Sequence, residues 1–238
     1  MSGSELKAGA RKLIRENSPK LFLVGIVFIV IVTVFSEFQF RLMGTLTTYS
    51  VLRERLSSGE LPSLTMLYSD FRPTGAALAF ILYLLKPVIE IGFMSYCLKI
   101  TRGQSGDFRD ILDGFQFFFK VVLLSIVIAV LIFLWSMLFL FPGLVASYRY
   151  RQAYYILLDA PEKSVMQCIR ESKQLMAGHK LDLFLVDLSF IGWAFLDIVV
   201  VLLIPAPISL PIVSIWLTPY MGLTHAAFYE RLLDRFIV

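Results

Sequence analysis

Long apolar runs separated by short charged stretches make up most of the chain between residues 19 and 229. No charged residue occurs in Leu21–Ser36, nor in the 28 residues Val121–Tyr148. A helix of about 20 mostly apolar residues crosses the ~30 Å hydrocarbon core of a bilayer. The pattern therefore predicts an all-α, polytopic transmembrane helix bundle with spans at about residues 19–36, 73–98, 120–141, 143–158, 183–204 and 208–229.

The fourth of these spans is short. Its 16 residues rise about 24 Å as a helix, and Pro142-Gly143 separates it from the third span. The basic segments 99–120 and 159–182 are expected on the same side of the membrane, so the chain between them crosses an even number of times. Two alternatives fit: a thin crossing, or a re-entrant helix.

Lysine and arginine set the orientation of such a bundle. With six crossings, 15 of the 22 basic residues fall in segments on one side, and four fall in the loop 37–73 on the other. Because cytoplasmic segments carry the basic excess, both termini are predicted to be cytoplasmic.

Three amphipathic segments are predicted as interfacial helices on the cytoplasmic side: 1–18, 107–119 and 162–177. In the first, Leu6, Ala10, Leu13 and Ile14 share one face, and the opposite face carries basic residues expected to contact lipid headgroups: Lys7, Arg11, Lys12 and Arg15. The third is expected to start at Asp159 and Pro161, to be lined by Val165, Met166, Ile169 and Met176, and to end at Gly178.

Composition agrees with this class. Apolar residues make up 58% and charged residues 17% of the chain, and the mean hydropathy is +0.76. A soluble domain is nearer ~45–50% apolar and ~25% charged, so a soluble enzyme, a disordered chain and a disulfide scaffold are excluded. We expect a single integral membrane domain over 1–238. The two cysteines, Cys97 and Cys168, are expected to be free thiols.

Six ionisable residues fall within the predicted spans: Lys86, Glu90, Arg149, Arg151, Asp187 and Asp197. Each costs roughly 2.5–3.5 kcal/mol inside a bilayer, so they should find partners, and their charges sum to zero. Helical rise then predicts two groups: Arg149 or Arg151 with Asp197 near the outer face, and Lys86 with Glu90 and Asp187. Such a polar cluster either clasps the spans together or lines a path for an ion or substrate.

The sequence offers little for catalysis. It has no glycine-rich phosphate loop, no His-Glu-x-x-His and no nucleophile elbow, and His179 and His225 are expected to be satisfied interfacial histidines. The D-x-x-D-x-x-D-G pattern of Asp107, Asp110, Asp113 and Gly114 resembles the metal carboxylates of phospholipid-synthesising phosphotransferases, but the Ala-Arg that follows there is absent. We therefore expect no enzyme, no cofactor and no metal.

A set of short motifs in the second half of the chain carries a resemblance: Phe141-Pro142-Gly143, Tyr148-x-Tyr150, Asp159-x-Pro161, Ser172-x-x-Leu175-Met176-x-Gly178-His179-Lys180, Ser189-Phe190-Ile191-Gly192-Trp193, Pro219-Tyr220 and Phe228-Tyr229. Their order and spacing resemble the domain of unknown function 975 family of bacterial integral membrane proteins. That family is similar to the membrane region of glycerophosphodiester phosphodiesterases, which is a non-catalytic anchor. The resemblance covers the second span to the end.

It implies a six-span protein of the bacterial plasma (inner) membrane with no catalytic residues to carry over. We expect a non-enzymatic accessory or scaffold protein in envelope or lipid physiology. The alternative is a small transporter or permease component that uses the intramembrane charges as a path, and an enzyme acting on lipid headgroups is a third hypothesis. Membrane lipids are the expected partners, with another membrane protein as a candidate at the cytoplasmic face, and no nucleic acid.

Overall fold

The structure, a computed structural model, describes residues 3–43, 58–59, 73–203 and 212–237, and within these ranges every regular element is a helix. The first half of the chain forms α1 (Gly3–Asn17), α2 (Lys20–Met43), α3 (Pro73–Thr101), a 3₁₀ helix (Phe108–Leu112), α4 (Asp113–Gln116) and α5 (Phe118–Leu138). The second half forms α6 (Leu140–Tyr150), α7 (Ala153–Asp159), α8 (Val165–Leu175), α9 (Lys180–Leu188), α10 (Ile191–Leu203) and α11 (Ile212–Ile237). The all-α prediction is confirmed.

Three of the described helices are long and apolar enough to cross a membrane: Lys20–Gln39, Ala77–Thr101 and Phe118–Leu138, with mean hydropathies of 2.7, 1.8 and 3.0. They coincide with the first three predicted spans. Much of their apolar surface faces away from the protein: only 28%, 33% and 17% of these segments is buried within the bundle. Such surface is what lipid tails would cover.

The segment predicted as the fourth span is not one continuous helix. The chain forms α6 and α7, separated by Arg151 and Gln152. Both residues keep helical backbone angles, with φ −62° and ψ −34° at Arg151 and φ −75° and ψ −10° at Gln152. The segment is therefore bent rather than unwound. The 11 residues of α6 rise only about 16 Å, too little to cross the hydrocarbon core alone.

A second break divides the fifth predicted span. There α9 ends at Leu188, and α10 starts again at Ile191. The Phe190 amide donates to the Asp187 carbonyl at 2.9 Å, which closes a tight turn in place of the next α-helical bond. By contrast, the helix at the sixth predicted span is longer than expected, because α11 continues to Ile237. Pro219 lies inside this helix.

The centre of the bundle is formed by α3 and α11, which pack against each other and against α1 and α2. The apolar face of α1 is buried by this packing: Leu6, Ala10 and Ile14 are 7% exposed or less. Residues 3–17 therefore form the predicted amphipathic helix, but its apolar face contacts protein rather than lipid. Packing on α11 and insertion into the bilayer surface both remove the apolar face of α1 from water. The amphipathic pattern is therefore the same in the two cases.

The other two predicted amphipathic segments also differ in detail. Residues 107–119 do not form one helix but the 3₁₀ helix, α4 and the start of α5. Residues 162–177 contain α8, which starts at a capping box of Ser164 and Gln167 rather than at Asp159 and Pro161. Of the residues predicted to line it, Met166 is 57% exposed, whereas Gly178 does follow its end, with φ +81°.

Two glycines fix the 3₁₀ helix and α4 against α3. A Cβ atom on Gly92 would lie 1.8 Å from the carbonyl oxygen of Ile111, and one on Gly114 would lie 2.0 Å from the carbonyl oxygen of Val88. Backbone therefore meets backbone at both positions, which no residue with a side chain permits. This close packing brings the acidic residues of segment 107–116 next to the end of α3.

Candidate functional site

The first ionic cluster joins α9 and α11 to the bend between α6 and α7. Arg151, between α6 and α7, hydrogen-bonds the Asp187 carboxylate of α9. The other oxygen of that carboxylate lies 2.8 Å from Nε2 of His225 on α11. The Arg151 guanidinium also lies 3.4 Å from the His225 ring. One carboxylate thus joins a guanidinium and an imidazole, and these contacts connect α9 to α11 and to the bend after α6.

Asp197 was predicted to pair with Arg149 or Arg151, and that prediction is wrong for both. Asp197 is 8% exposed and accepts hydrogen bonds from the Val213 amide at 3.0 Å and the Ser214 hydroxyl at 2.5 Å. It therefore caps the first turn of α11, where free amides and the helix dipole favour a negative charge. The depth estimate failed because α6 starts three residues earlier than the predicted span, which places Arg151 farther along the helix.

Of the second predicted group, Lys86 with Glu90 and Asp187, only the first two residues contact each other. Lys86 and Glu90 form an i,i+4 pair on α3, with Nζ 3.7 Å from Oε1. Their side chains are 41% and 47% exposed, so the pair lies on the outer face of the bundle and not in its interior. Asp187 is not part of this pair, because Arg151 and His225 occupy both of its oxygens.

Arg149 differs from every other intramembrane charge predicted from sequence. Its carbonyl accepts a hydrogen bond from Ser172 at 2.9 Å, but its buried Nε has no partner. Within the described ranges, its guanidinium forms no ion pair and donates no hydrogen bond. The predicted cluster of six charges is thus three separate arrangements and one unpaired arginine.

A cluster that the sequence reasoning missed lies where α3, α7 and α11 meet. Arg102 donates two hydrogen bonds to the Asp159 carboxylate, at 2.7 and 2.8 Å, and its Nε donates to Glu230 at 2.9 Å. The Tyr229 hydroxyl donates to Asp159 at 2.9 Å. The hydrogen bond with Asp159 raises the pKa of Arg102 above its usual range, against the opposing effect of desolvation. Asp159 and Tyr229 both belong to the motifs quoted in the sequence analysis. Those motifs were the signal in the sequence that could have identified this cluster.

The aspartates of the D-x-x-D-x-x-D-G pattern form a further cluster with a cation. Lys99 lies 2.6 Å from an oxygen of Asp110 and 2.7 Å from one of Asp113, which also accepts from Ser95 at 2.7 Å. The lysine ammonium therefore occupies the position that a metal ion would need. No group of three or more potential metal ligands is found in the described part of the chain.

The remaining candidates for chemistry are the two histidines and the two cysteines. His179 Nδ1 lies 2.9 Å from Asp182, so both histidines contact a carboxylate. Cys97 and Cys168 are free and buried, as expected, and burial raises the pKa of the Cys168 thiol. Neither thiol therefore has the character of a reactive nucleophile.

The predicted headgroup contacts on α1 fall into two groups. Lys7 is turned toward the protein, with Nζ 3.4 Å from the Ser189 carbonyl and 4.2 Å from the centre of the Phe190 ring. Arg11, Lys12 and Arg15 are exposed. Lys12 pairs with Glu16 at 3.8 Å, an exposed contact of little energetic value. The outer face of α1 thus remains available to an anionic surface.

Three cavities of about 310, 300 and 570 Å³ occur in the described part of the structure. The first lies beside Asp159 and Tyr229, the second lies between α5 and α6, and the third lies along the start of α10. None of these three is lined by Lys86, Glu90, Arg151 or Asp187. The charges proposed as a path therefore do not line any of these three cavities.

Replacing Tyr229 with Phe tests the energetic value of the missed cluster. Removing the hydroxyl leaves Asp159 with one hydrogen bond fewer, and we expect unfolding in mixed detergent–dodecyl sulfate micelles to require about 1.5 kcal/mol less. Tyr155→Phe is the matched control, because its ring stacks on Tyr229 at 4.9 Å without bonding Asp159. Equal losses in the two variants would contradict a specific role for the Tyr229–Asp159 bond.

Comparison with known proteins gives one finding. The sequence model of the family "Protein of unknown function (DUF975)" matches residues 1–146 and 140–236, and so includes the N-terminal 70 residues that the motifs did not reach. No curated protein and no solved structure matches the chain. The similarity to glycerophosphodiester phosphodiesterases stays a prediction. Since the match extends over nearly the whole sequence, the chain belongs to the DUF975 family of proteins of unknown function.

Proposed function

We propose that the chain is a non-enzymatic integral protein of the bacterial plasma membrane, with six crossings and both termini in the cytoplasm, and that it acts as an accessory or scaffold protein in envelope or lipid physiology. The three long apolar helices supply the first crossings. The bent segments α6–α7 and α9–α10 and the helix α11 supply the others.

One observation carries the proposal: charged groups from separate elements of the described chain pair with one another. Arg151 with Asp187 and His225, Lys99 with Asp110 and Asp113, and Arg102 with Asp159 and Glu230 each join separate elements of the chain. Catalysis and ion transfer both need a group that is free to exchange a proton or bind a substrate. Charges used in this way instead hold the helices in fixed positions.

The packing of the two ends supports the proposed orientation. α1 packs against α11, and Arg231 lies 3.0 Å from Glu5. The N-terminal helix and the end of α11 therefore lie on one side of the bundle. Because basic residues concentrate at this end, at segment 99–120 and at 159–182, the cytoplasmic side is the one that we assign to them.

The proposed partners follow from the same surfaces. Arg11, Lys12 and Arg15 are exposed on α1, and Arg170 and Lys173 are exposed on α8. Such basic helix faces attract the anionic lipids of a cytoplasmic leaflet, at about 1 kcal/mol per basic residue. They would also suit an acidic cytoplasmic surface of another membrane protein.

Cysteine labelling in intact cells tests the orientation. With Cys97 and Cys168 replaced by Ala, a cysteine introduced by Ser58→Cys should react with a membrane-impermeant maleimide in intact cells. One introduced by Gln174→Cys should react only after permeabilisation. Both wild-type positions are exposed, so access to either is limited by the membrane rather than by burial. Labelling of Gln174→Cys in intact cells would contradict the crossing number and the assigned side.

Flux measurements on purified protein in vesicles separate the scaffold from the transporter. We expect proton and ion leakage equal to that of empty vesicles, because none of the described cavities has Lys86 or Glu90 in its lining. A flux that disappears in Lys86→Met with Glu90→Gln would overturn the proposal in favour of a transporter. A flux that persists in that double variant would overturn both the scaffold and the predicted path.

A further inference from the structure

A groove on the outer surface of the bundle runs between α5 and α6. Its volume is about 300 Å³, and its lining consists of Trp135, Phe141, Pro142, Val145, Ala146 and Arg149. Phe141 is 77% exposed and Val145 43% exposed, so the groove opens away from the protein core. Five of the six residues are apolar, and the only charged group is the arginine at one end.

Among the described residues, Arg149 is the cation with a buried nitrogen that is left unsatisfied. Its Nε is buried and has no hydrogen-bond partner, and no carboxylate pairs with its guanidinium in the ranges that the structure describes. The neighbouring Arg151 has Asp187, and Arg102 has two carboxylates. An unpaired guanidinium between apolar helices is energetically unfavourable unless an anion or water reaches it.

The position of Arg149 on α6 shows which anion could reach it. Its Cα lies nine residues after Leu140, about 13 Å along the helix. Side chains on a helix lean toward its N-terminus, and Arg149 shares the groove with Phe141 and Pro142, two turns earlier. The guanidinium is therefore directed back toward the end of the α5–α6 hairpin, the level at which lipid phosphates lie if this hairpin spans the membrane.

We propose that this groove binds one anionic phospholipid, with Arg149 holding the phosphate and the apolar lining holding the start of an acyl chain. The guanidinium presents two parallel N–H donors, which match two oxygens of a phosphate. Trp135 also lines the groove, and tryptophan is enriched where the bilayer meets water, at the level of the lipid headgroups. This proposal rests on the proposed placement of α5 and α6 within the bilayer.

The lining favours a lipid over a free phosphate ion. A soluble anion would gain nothing from Trp135, Phe141 and Val145 and would have to lose its hydration shell among them. A phospholipid instead places its charge at Arg149 and its hydrocarbon against those side chains. The expected preference for an anionic over a zwitterionic headgroup is about fivefold, which corresponds to about 1 kcal/mol for one basic residue near the surface.

Fluorescence of Trp135 provides the test. In Trp193→Phe with Trp216→Phe, the only tryptophan left lines the groove, and the protein is placed in phosphatidylcholine vesicles with added brominated phosphatidylglycerol or brominated phosphatidylcholine. We expect the brominated phosphatidylglycerol to quench with about fivefold higher relative affinity. This preference should disappear in Arg149→Met and persist in Arg109→Met, an exposed arginine of the 3₁₀ helix.

Equal quenching by the two lipids, or a preference that survives Arg149→Met, would overturn the proposal. Glycerol phosphate added to the buffer should leave the preference unchanged, and its loss would point to a soluble phosphate ligand instead. Native mass spectrometry of the chain with all tryptophans intact should show one retained phosphatidylglycerol, lost in Arg149→Met. This second measurement avoids any effect of removing Trp193 and Trp216, whose rings lie 5.3 Å apart.

The outcomes for this groove and for the proposed function are separable. If cysteine labelling supports the assigned crossings while Arg149→Met leaves the lipid preference unchanged, the lipid site alone fails. If labelling places Gln174 outside, the orientation fails whatever the quenching shows. A proton or ion flux through the vesicles would overturn the scaffold without affecting the lipid preference.

Discussion

Replacing Asp187 with Asn is expected to lower the free energy of unfolding by about 3 kcal/mol, because it removes the only carboxylate in contact with Arg151 and His225 among the described residues. The asparagine keeps the size of the side chain but leaves the guanidinium without a counter-charge between the helices. Unfolding in mixed detergent–dodecyl sulfate micelles, followed by tryptophan fluorescence, measures the loss.

The matched control for this variant is Glu16→Gln, which removes one partner of an exposed pair on α1. Its lysine partner is 78% exposed, and we expect a change below about 0.5 kcal/mol. A combined Arg151→Met and Asp187→Leu variant removes both charges, and should recover most of the stability lost in Asp187→Asn. An Asp187→Asn protein as stable as the wild type would show that the cluster does not hold α9 and α11 together.

Replacing Gly92 with Ala is expected to cost about 3 kcal/mol or more. The new methyl group would lie 1.8 Å from the carbonyl oxygen of Ile111, and backbone cannot move aside as a flexible side chain can. The 3₁₀ helix must therefore separate from α3, which also pulls Asp110 and Asp113 away from Lys99. The same unfolding measurement reports this loss.

Gly9→Ala is the control for Gly92→Ala. A Cβ atom on Gly9, also within a helix, meets nothing within 4 Å, and alanine should raise stability by up to about 1 kcal/mol. Opposite signs for two identical substitutions would establish that close packing, and not helix propensity, determines the effect at Gly92. If both variants gained stability, the close approach of Ile111 to α3 would be disproved.

The helical class and the first three apolar helices could be predicted from the sequence because each helix contains a long, predominantly hydrophobic run. The bends at Arg151–Gln152 and Ser189–Phe190 could not. No proline or glycine occupies either bend, so no helix-breaking residue marks them in the sequence. The apolar face of α1 was predicted correctly, but a pattern of hydrophobic positions does not show whether lipid or another helix will cover it.

The ionic clusters were predictable only where sequence spacing alone determines contact. Lys86 and Glu90 lie four residues apart on one helix, and they do pair. The partners of Arg151 and Asp197 depend on the depth and rotation of separate helices, and an error of two or three residues in a helix start is enough to exchange them. Lys99 and Arg102 belong to the basic segment that indicates the orientation of the bundle. The sequence does not show that each also forms ion pairs with two carboxylates.

The burial of α1 against α11 has a consequence for how the protein is made. Residues 3–17 are synthesised long before residues 212–237, yet Leu6, Ala10 and Ile14 pack where α11 lies. Throughout synthesis the N-terminal segment must therefore stay on the membrane surface or in contact with a chaperone. The contact forms only after residues 212–237 have been synthesised, so a ribosome stalled before residue 212 leaves the apolar face of α1 without its cover on α11.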